Sequence, residues 1–281
     1  MSMDLAVLEQ QVIGVAREVA DFIRKESQAF DRSRIEEKNR HNNLVSYVDK
    51  ESEQRLVRVL ADLLPGSGFL AEEGTERPST NGYTWIIDPL DGTTNFTHGL
   101  PPFSVSIGLS FEGRMVLGVV LEVVSGECFH SYEGAPAFCN GKPIRVASTS
   151  SLRNSLLATG FPYDTHGRLD RHLAIIRELL HASQGVRRLG SAATDLAYVA
   201  CGRLDGFFEY NLSPWDVAAG GFLVRQAGGT VTDFSGGADF LFSRQLCSGN
   251  AVHGQMLELI RKYWDDPEKE GLTPDRGIFV P

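Results

Sequence analysis

The chain has 281 residues, 42% hydrophobic and 22% charged, enough apolar content to bury a sizeable core in one or two domains. Its 27 basic and 36 acidic residues leave a net charge of -9, which makes nucleic acid or any other polyanion a poor candidate partner by bulk electrostatics. No apolar run approaches the ~20 residues that span a bilayer. Met1-Ser2-Met3-Asp4 lacks the basic-then-apolar pattern of a secretory leader, so a cytoplasmic protein is expected.

In chain order, Leu5, Leu8, Val12, Val15, Val19 and Phe22 recur at steps of three and four. They predict one amphipathic helix from about Asp4 to Phe30, too short for a sustained coiled coil. A polar stretch, Asp31 to Asn43, reads as loop or β-turn. A second helix is expected from Lys50 to Leu64, stopped by Pro65-Gly66. From Tyr83 to Phe138 the chain reads mainly as strands. Segments 103–111, 114–123 and 127–132 are broken by Glu112-Gly113 and Ser125-Gly126, the pattern of an antiparallel meander.

A strand at Leu156–Thr159, a helix at 168–182 and a strand ending near Arg188 follow. Next come a helix from Ser191 to Gly202, a strand at 206–209 and a helix from about Trp215 to Gly228-Gly229. The last predicted helix spans His253 to Tyr263, followed by an irregular tail, Gly271–Pro281. No repeat or linker divides the chain, so a single α/β (α+β) domain with layered helices and sheets is expected. Cys128, Cys139, Cys201 and Cys247 form no Cys-x-x-Cys pair and have no His at ligand spacing. Reduced thiols and no zinc are expected.

The most informative segment is Trp85-Ile86-Ile87-Asp88-Pro89-Leu90-Asp91-Gly92-Thr93-Thr94-Asn95-Phe96. An apolar strand ends on a carboxylate, a Pro-Leu step brings a second one, and Gly92 allows close backbone approach. Thr93 and Thr94 can start a helix whose free amides favour anions. Carboxylates for a hard cation beside amides for a phosphate suggest metal-assisted phosphoryl chemistry. The bland alternative is an Asp-Gly turn in solvent. The spacing also fails the alternating acids of an EF-hand.

Other acids admit two readings each on sequence alone. Glu72 and Glu73 follow a short apolar segment and could be solvated. Asp216, after Trp215, and Asp49 could each simply cap a helix. Glu209 could merely end a strand. Arg187-Arg188 is the one basic pair near the motifs, a solvated strand end or an anion guide. His98 and His172 have no partner at metal spacing.

The Trp85–Phe96 motif together with Trp215-Asp216-Val217-Ala218-Ala219-Gly220 resembles the inositol monophosphatase family of magnesium-dependent, lithium-sensitive phosphatases. The similarity runs from about Lys38 to about Gly229. It implies an αβαβα sandwich with mixed and antiparallel sheets, a homodimer, and two or three Mg²⁺ ions. By resemblance, Asp88 bridges ions, Glu72 and the Leu90 carbonyl complete one site, and Asp91 and Asp216 hold another. Thr93 paired with Asp49 activates water. Asp91, Gly92, Thr93, Ala192, Glu209 and Asp216 contact a small phosphorylated polyol. Lys38 matches a lysine near the family's active site.

Three positions depart from the family pattern: Ala71 replaces a glycine, Gly74 a hydroxyl residue and Ser46 a threonine. Thr94-Asn95-Phe96 favours an inositol phosphate as substrate over fructose 1,6-bisphosphate, histidinol phosphate or a nucleotide bisphosphate. A non-enzymatic regulatory protein that keeps the fold is the alternative of a different class.

Overall fold

The structure is a computed structural model and describes residues 3–31, 33, 35–37, 44–162 and 167–265. Lys38 and the tail Gly271–Pro281 lie outside the described residues. The chain opens with α1 (Leu5–Ser27), β1 (Ile35–Glu37), β2 (Leu44–Ser46) and α2 (Tyr47–Leu63). It continues with β3 (Gly68–Ala71), β4 (Glu76–Arg77), β5 (Tyr83–Asp91), α3 (Thr93–His98), β6 (Ser104–Phe111), β7 (Arg114–Glu122), β8 (Cys128–Tyr132), β9 (Phe138–Cys139) and β10 (Lys142–Pro143). The second half carries β11 (Leu156–Thr159), α4 (Leu169–Ala182), β12 (Gly185–Arg187), α5 (Ala192–Ala200), β13 (Gly206–Tyr210), α6 (Pro214–Gln226), β14 (Thr230–Thr232), β15 (Gln245–Gly249) and α7 (His253–Trp264).

These elements stack as the expected αβαβα layers. One apolar cluster joins α1 and α2 to one face of an eight-stranded sheet, through Val12, Leu56, Trp85, Ile87 and Val119. Ile86 and Val120, neighbours in sequence to Ile87 and Val119, point the other way and pack on α5 and α6 with Leu196 and Leu223. That reversal is the two-residue period of a strand buried on both faces. The same alternation marks the five-stranded sheet: Phe207 faces α5 and α6, while Phe208 faces α4 and α7 with Ile175 and Ile260.

The meander from β6 to β8 is antiparallel, as its turn signals require. The sheets are nonetheless mixed, because β3 runs parallel to β5 and β11 runs parallel to both β12 and β13. Several elements differ from expectation. α1 ends at Ser27, and the segment read as loop contains β1, paired with β2. α2 begins at Tyr47, not Lys50, because Ser46 caps it: its hydroxyl accepts from the Val48 N–H at 3.1 Å. β15 was not legible, since Gln245-Leu246-Cys247-Ser248-Gly249 has no β-branched residue and no alternation. It is a strand because the ladder of β13 holds it, from Gly206↔Gly249 to Tyr210↔Gln245.

Candidate active site

β5 brings the two motif aspartates together by breaking its own register. Residues three apart on a regular strand face opposite sides. Here Asp88 pairs with Ser106 and Asp91 pairs with Ser104, so three steps on β5 match two on β6. The extra residue of this bulge restores parity, and both carboxylates face the α5–α6 layer. Asp88 Oδ1 then accepts from the Leu90 N–H at 2.9 Å. Gly92 follows with φ 94°, and a Cβ there would lie 3.1 Å from the carbonyl oxygens of Gly190 and Pro102. Only glycine suits both the left-handed backbone and that approach. Thr93 starts α3, as its place in the motif suggested.

Asp91, Asp216 and Asp49 are each anchored through one oxygen, which leaves the other for a second partner. Asp91 Oδ2 accepts from the Ser191 hydroxyl at 2.6 Å and the Ala193 N–H at 2.7 Å, which ties β5 to the first turn of α5. Asp216 Oδ2 accepts from the Ser213 N–H at 2.6 Å. Asp49 Oδ2 accepts from the Ser46 N–H at 2.8 Å and the Ser46 hydroxyl at 2.7 Å. Neither Asp49 nor Asp216 is the N-cap that the sequence suggested. Each stands three residues beyond a capping serine, in the pattern Ser-x-x-Asp of a capping box. Asp49 Oδ1 is then left to accept from Thr93 Oγ1 at 2.8 Å. The hydroxyl has one proton and also lies 3.1 Å from the Leu90 carbonyl. The shorter bond to the carboxylate is the stronger one.

Glu72 sits on the loop after β3, half-buried, and its N–H donates to the Ile87 carbonyl at 3.2 Å. That loop is held by a residue which sequence reasoning passed over. Glu53, buried on α2, accepts from the Glu73 N–H at 2.6 Å through Oε2 and from the Thr75 N–H at 3.0 Å through Oε1. A buried glutamate at the middle of an apolar helix face was the available signal.

Glu72, Asp88, Leu90, Asp91, Gly92, Thr93, Ala192, Glu209 and Asp216 all line one polar cavity of about 280 Å³. Asp49 lies behind Thr93, fully buried. Arg187 and Arg188 are both exposed, and of the two only Arg188 lines the cavity. Asp195 on α5 is a second lining residue absent from the sequence-based set. Its short polar side chain amid Ala192–Ala200 reads as an ordinary first-turn acid. His172 is fully buried and its Nε2 lies 2.9 Å from the Gly160 carbonyl, outside any acid cluster.

The electrostatics are those of crowded anions. Burial pushes the Asp49 and Asp91 carboxyls up to about 6. Burial, then the charges of Glu72, Asp91 and Asp216, holds Asp88 well above the ordinary carboxylate range. Asp216 is raised likewise by burial and by Asp91 and Glu72. Glu209 is pushed up to about 8 by burial, against the attraction of Arg188. Glu72 and Asp88 come within hydrogen-bonding reach of each other.

Such an all-oxygen donor set fits a hard divalent cation, Mg²⁺ before zinc, and a cation would relieve the repulsion. Among the described residues no group of three or more acids, histidines or cysteines is drawn close enough to hold an ion as it stands. The four cysteines are free, two buried and two half-buried. No described helix is long and apolar enough to cross a membrane.

Comparison with known proteins identifies the family. The sequence profile described as the inositol monophosphatase family matches residues 4–266, well beyond the span of the motifs. An inositol-1-monophosphatase of Mesorhizobium japonicum is 43% identical over 220 residues, 78% of this chain and 83% of the relative. The Nus factor SuhB of Pseudomonas aeruginosa is 41% identical over 240 residues, 84% of this chain and 88% of the relative. Among solved structures, the extragenic suppressor protein SuhB of Bartonella henselae superposes with a TM-score of 0.85 at 35% identity, covering 90% of this chain and 98% of that one.

Proposed function

The chain belongs to the inositol monophosphatase family, and from that premise we propose that it is a Mg²⁺-dependent phosphatase of small phosphate monoesters, with inositol 1-phosphate as substrate. The observation that carries this reading is the gathering of Glu72, Asp88, Asp91 and Asp216 with Thr93 around one cavity, Thr93 itself bonded to Asp49. At about 280 Å³ the cavity suits a small ester.

Mg²⁺, when bound, neutralises the phosphate and lowers the pKa of a coordinated water. Glu72, Asp88, the Leu90 carbonyl, Asp91 and Asp216 are the residues that would hold it. Thr93 accepts a hydrogen bond from the attacking water through Oγ1 while passing its own proton toward Asp49 Oδ1. Gly92 and the first amides of α3 present N–H groups to the phosphate oxygens. Asp216 faces the leaving oxygen across the cavity, and Ala192 and Glu209 form the wall against the rest of the substrate. A carboxyl such as Glu209 takes two hydroxyl hydrogen bonds. A homodimer in the cytoplasm completes the reading.

The test compares inositol 1-phosphate, fructose 1,6-bisphosphate, histidinol phosphate and an adenosine bisphosphate, with Mg²⁺ and with chelator. Inositol 1-phosphate is expected to lead in kcat/KM, with turnover abolished by chelation. A lead of more than tenfold for fructose 1,6-bisphosphate overturns the substrate. Asp88→Asn is expected to lose far more than tenfold, one factor of ten being about 1.4 kcal/mol. Activity retained within tenfold removes Asp88 from its bridging role.

A second reading comes from the relatives named Nus factor SuhB: a regulatory protein that keeps the fold. The intact acid cluster favours the enzyme. Mg²⁺ uptake without turnover of any phosphomonoester would favour the regulator.

A further inference from the structure

Asp195 is the least explained polar group of the cavity wall. It is the fourth residue of α5, 1% exposed, and its Oδ1 has no hydrogen-bond partner. A buried acceptor left without a partner is destabilising. A leucine or alanine at this position would avoid that cost. Such a group in a native core points to a ligand that satisfies it. Asp195 lines the same cavity as the phosphate-side acids, and the charges of Glu209, Asp91 and Arg188 act on it.

Glu209 shares this wall. A Cβ on Gly160 would lie 2.1 Å from Glu209 Oε2, so position 160 leaves no room for a side chain beside that carboxylate. Two carboxyls from α5 and β13 therefore line the cavity on the side remote in sequence from the β5 motif, with the charge of Arg188 acting on both.

We propose that Asp195 is a specificity-determining residue, forming with Glu209 a two-carboxyl wall that accepts hydrogen bonds from a polyhydroxyl leaving group. This rests on the phosphomonoesterase reading above and narrows it. Carboxyl groups keep acceptor oxygens in either protonation state, so the wall rewards vicinal hydroxyls. An aromatic alcohol offers it no second donor. A second phosphate meets two carboxyls against one arginine, so a neutral polyol monophosphate is favoured over a sugar bisphosphate.

The experiment measures kcat and KM for inositol 1-phosphate, fructose 1,6-bisphosphate and p-nitrophenyl phosphate. It compares the full-length chain with Asp195→Asn and Asp195→Ala, at saturating Mg²⁺. The kcat/KM ratio of inositol 1-phosphate to p-nitrophenyl phosphate is expected to fall at least tenfold in Asp195→Ala, mainly through KM. In Asp195→Asn, which keeps the volume and removes the charge, fructose 1,6-bisphosphate is expected to gain on inositol 1-phosphate at least threefold. Melting temperatures at or above that of the parent accompany both shifts. Should Asp195→Ala fail to fold, the isosteric Asn variant decides alone.

Ratios within twofold of the parent in the variants that fold overturn the proposal, as does a lower melting temperature without a change in ratio. If the parent cleaves inositol 1-phosphate and the variants keep its preference, only the role of Asp195 falls. If the parent cleaves p-nitrophenyl phosphate but no polyol phosphate, the substrate reading falls with it.

Discussion

Thr93 and Asp49 are separated by 44 positions in the chain, yet the Thr93 hydroxyl donates to Asp49 Oδ1 at 2.8 Å in the buried space between α2 and α3. Asp49 can serve there because its other oxygen is already fixed by Ser46. The same residue thus completes the capping box of α2 and holds the hydroxyl that faces the cavity.

A pH dependence follows from that bond. Burial raises the Asp49 carboxyl to about 6, and only its ionised form can draw the Thr93 proton. Log kcat/KM is expected to fall on the acid side of about pH 6 with a slope near one. Asp49→Asn should lower kcat by 10²–10⁴, the usual span for a lost proton acceptor, and abolish that limb. An unchanged acid limb in Asp49→Asn would show that another group controls it.

Stability without metal should have the opposite sign to that of ordinary salt-bridged acids. Asp49 and Asp91 rise to about 6 and Glu209 to about 8, while Asp88 and Asp216 are also raised. In the unfolded chain these groups titrate near ~4. Between about pH 4 and pH 8 the folded state therefore binds more protons, and stability declines as pH rises. Chelator-treated protein is expected to melt at a lower temperature at pH 8 than at pH 5. Added Mg²⁺ should raise the melting point more at pH 8, because it binds the ionised acids. A melting point that climbs steadily from pH 5 to pH 8 without metal contradicts the raised carboxyls.

Glu53 should act on the metal from a distance. Its two oxygens hold the Glu73 and Thr75 amides at 2.6 and 3.0 Å, and so set the loop that presents Glu72. Glu53→Ala is expected to weaken Mg²⁺ affinity by 10–100-fold, the range for lost outer-shell partners. Glu53→Gln, which keeps one acceptor oxygen, should recover part of it. Titration calorimetry reads this without turnover; equal Mg²⁺ affinities in all three proteins would leave Glu53 a purely structural group.

Gly160→Ala tests how closely the wall is built. Its Cβ would fall 2.1 Å from Glu209 Oε2, the end of a side chain that can swing away. The fold should survive with a melting point near that of the parent, while KM for inositol 1-phosphate rises at least tenfold. A KM within twofold of the parent would mean that Glu209 does not touch the substrate.

What the sequence determined by itself was local. The three- and four-residue steps of α1, the turns that fold β6 to β8 and the chemistry of Asp88-Pro89-Leu90-Asp91-Gly92-Thr93 depend on neighbours along the chain, and periodicity and backbone preference express them directly. The Ser-x-x-Asp boxes at Ser46–Asp49 and Ser213–Asp216 were of this kind too, although each aspartate read first as a plain cap.

Tertiary structure alone decided the rest. The bulge that turns Asp88 and Asp91 to one face appears only in the register with β6. β15 is a strand only because β13 offers it a ladder. Glu53 and Asp195 matter through which loop or cavity the packing sets against them. The physical reason is that the meaning of a buried carboxylate lies in its partners, and those partners arrive from distant segments: Ser191 reaches Asp91 across 100 residues.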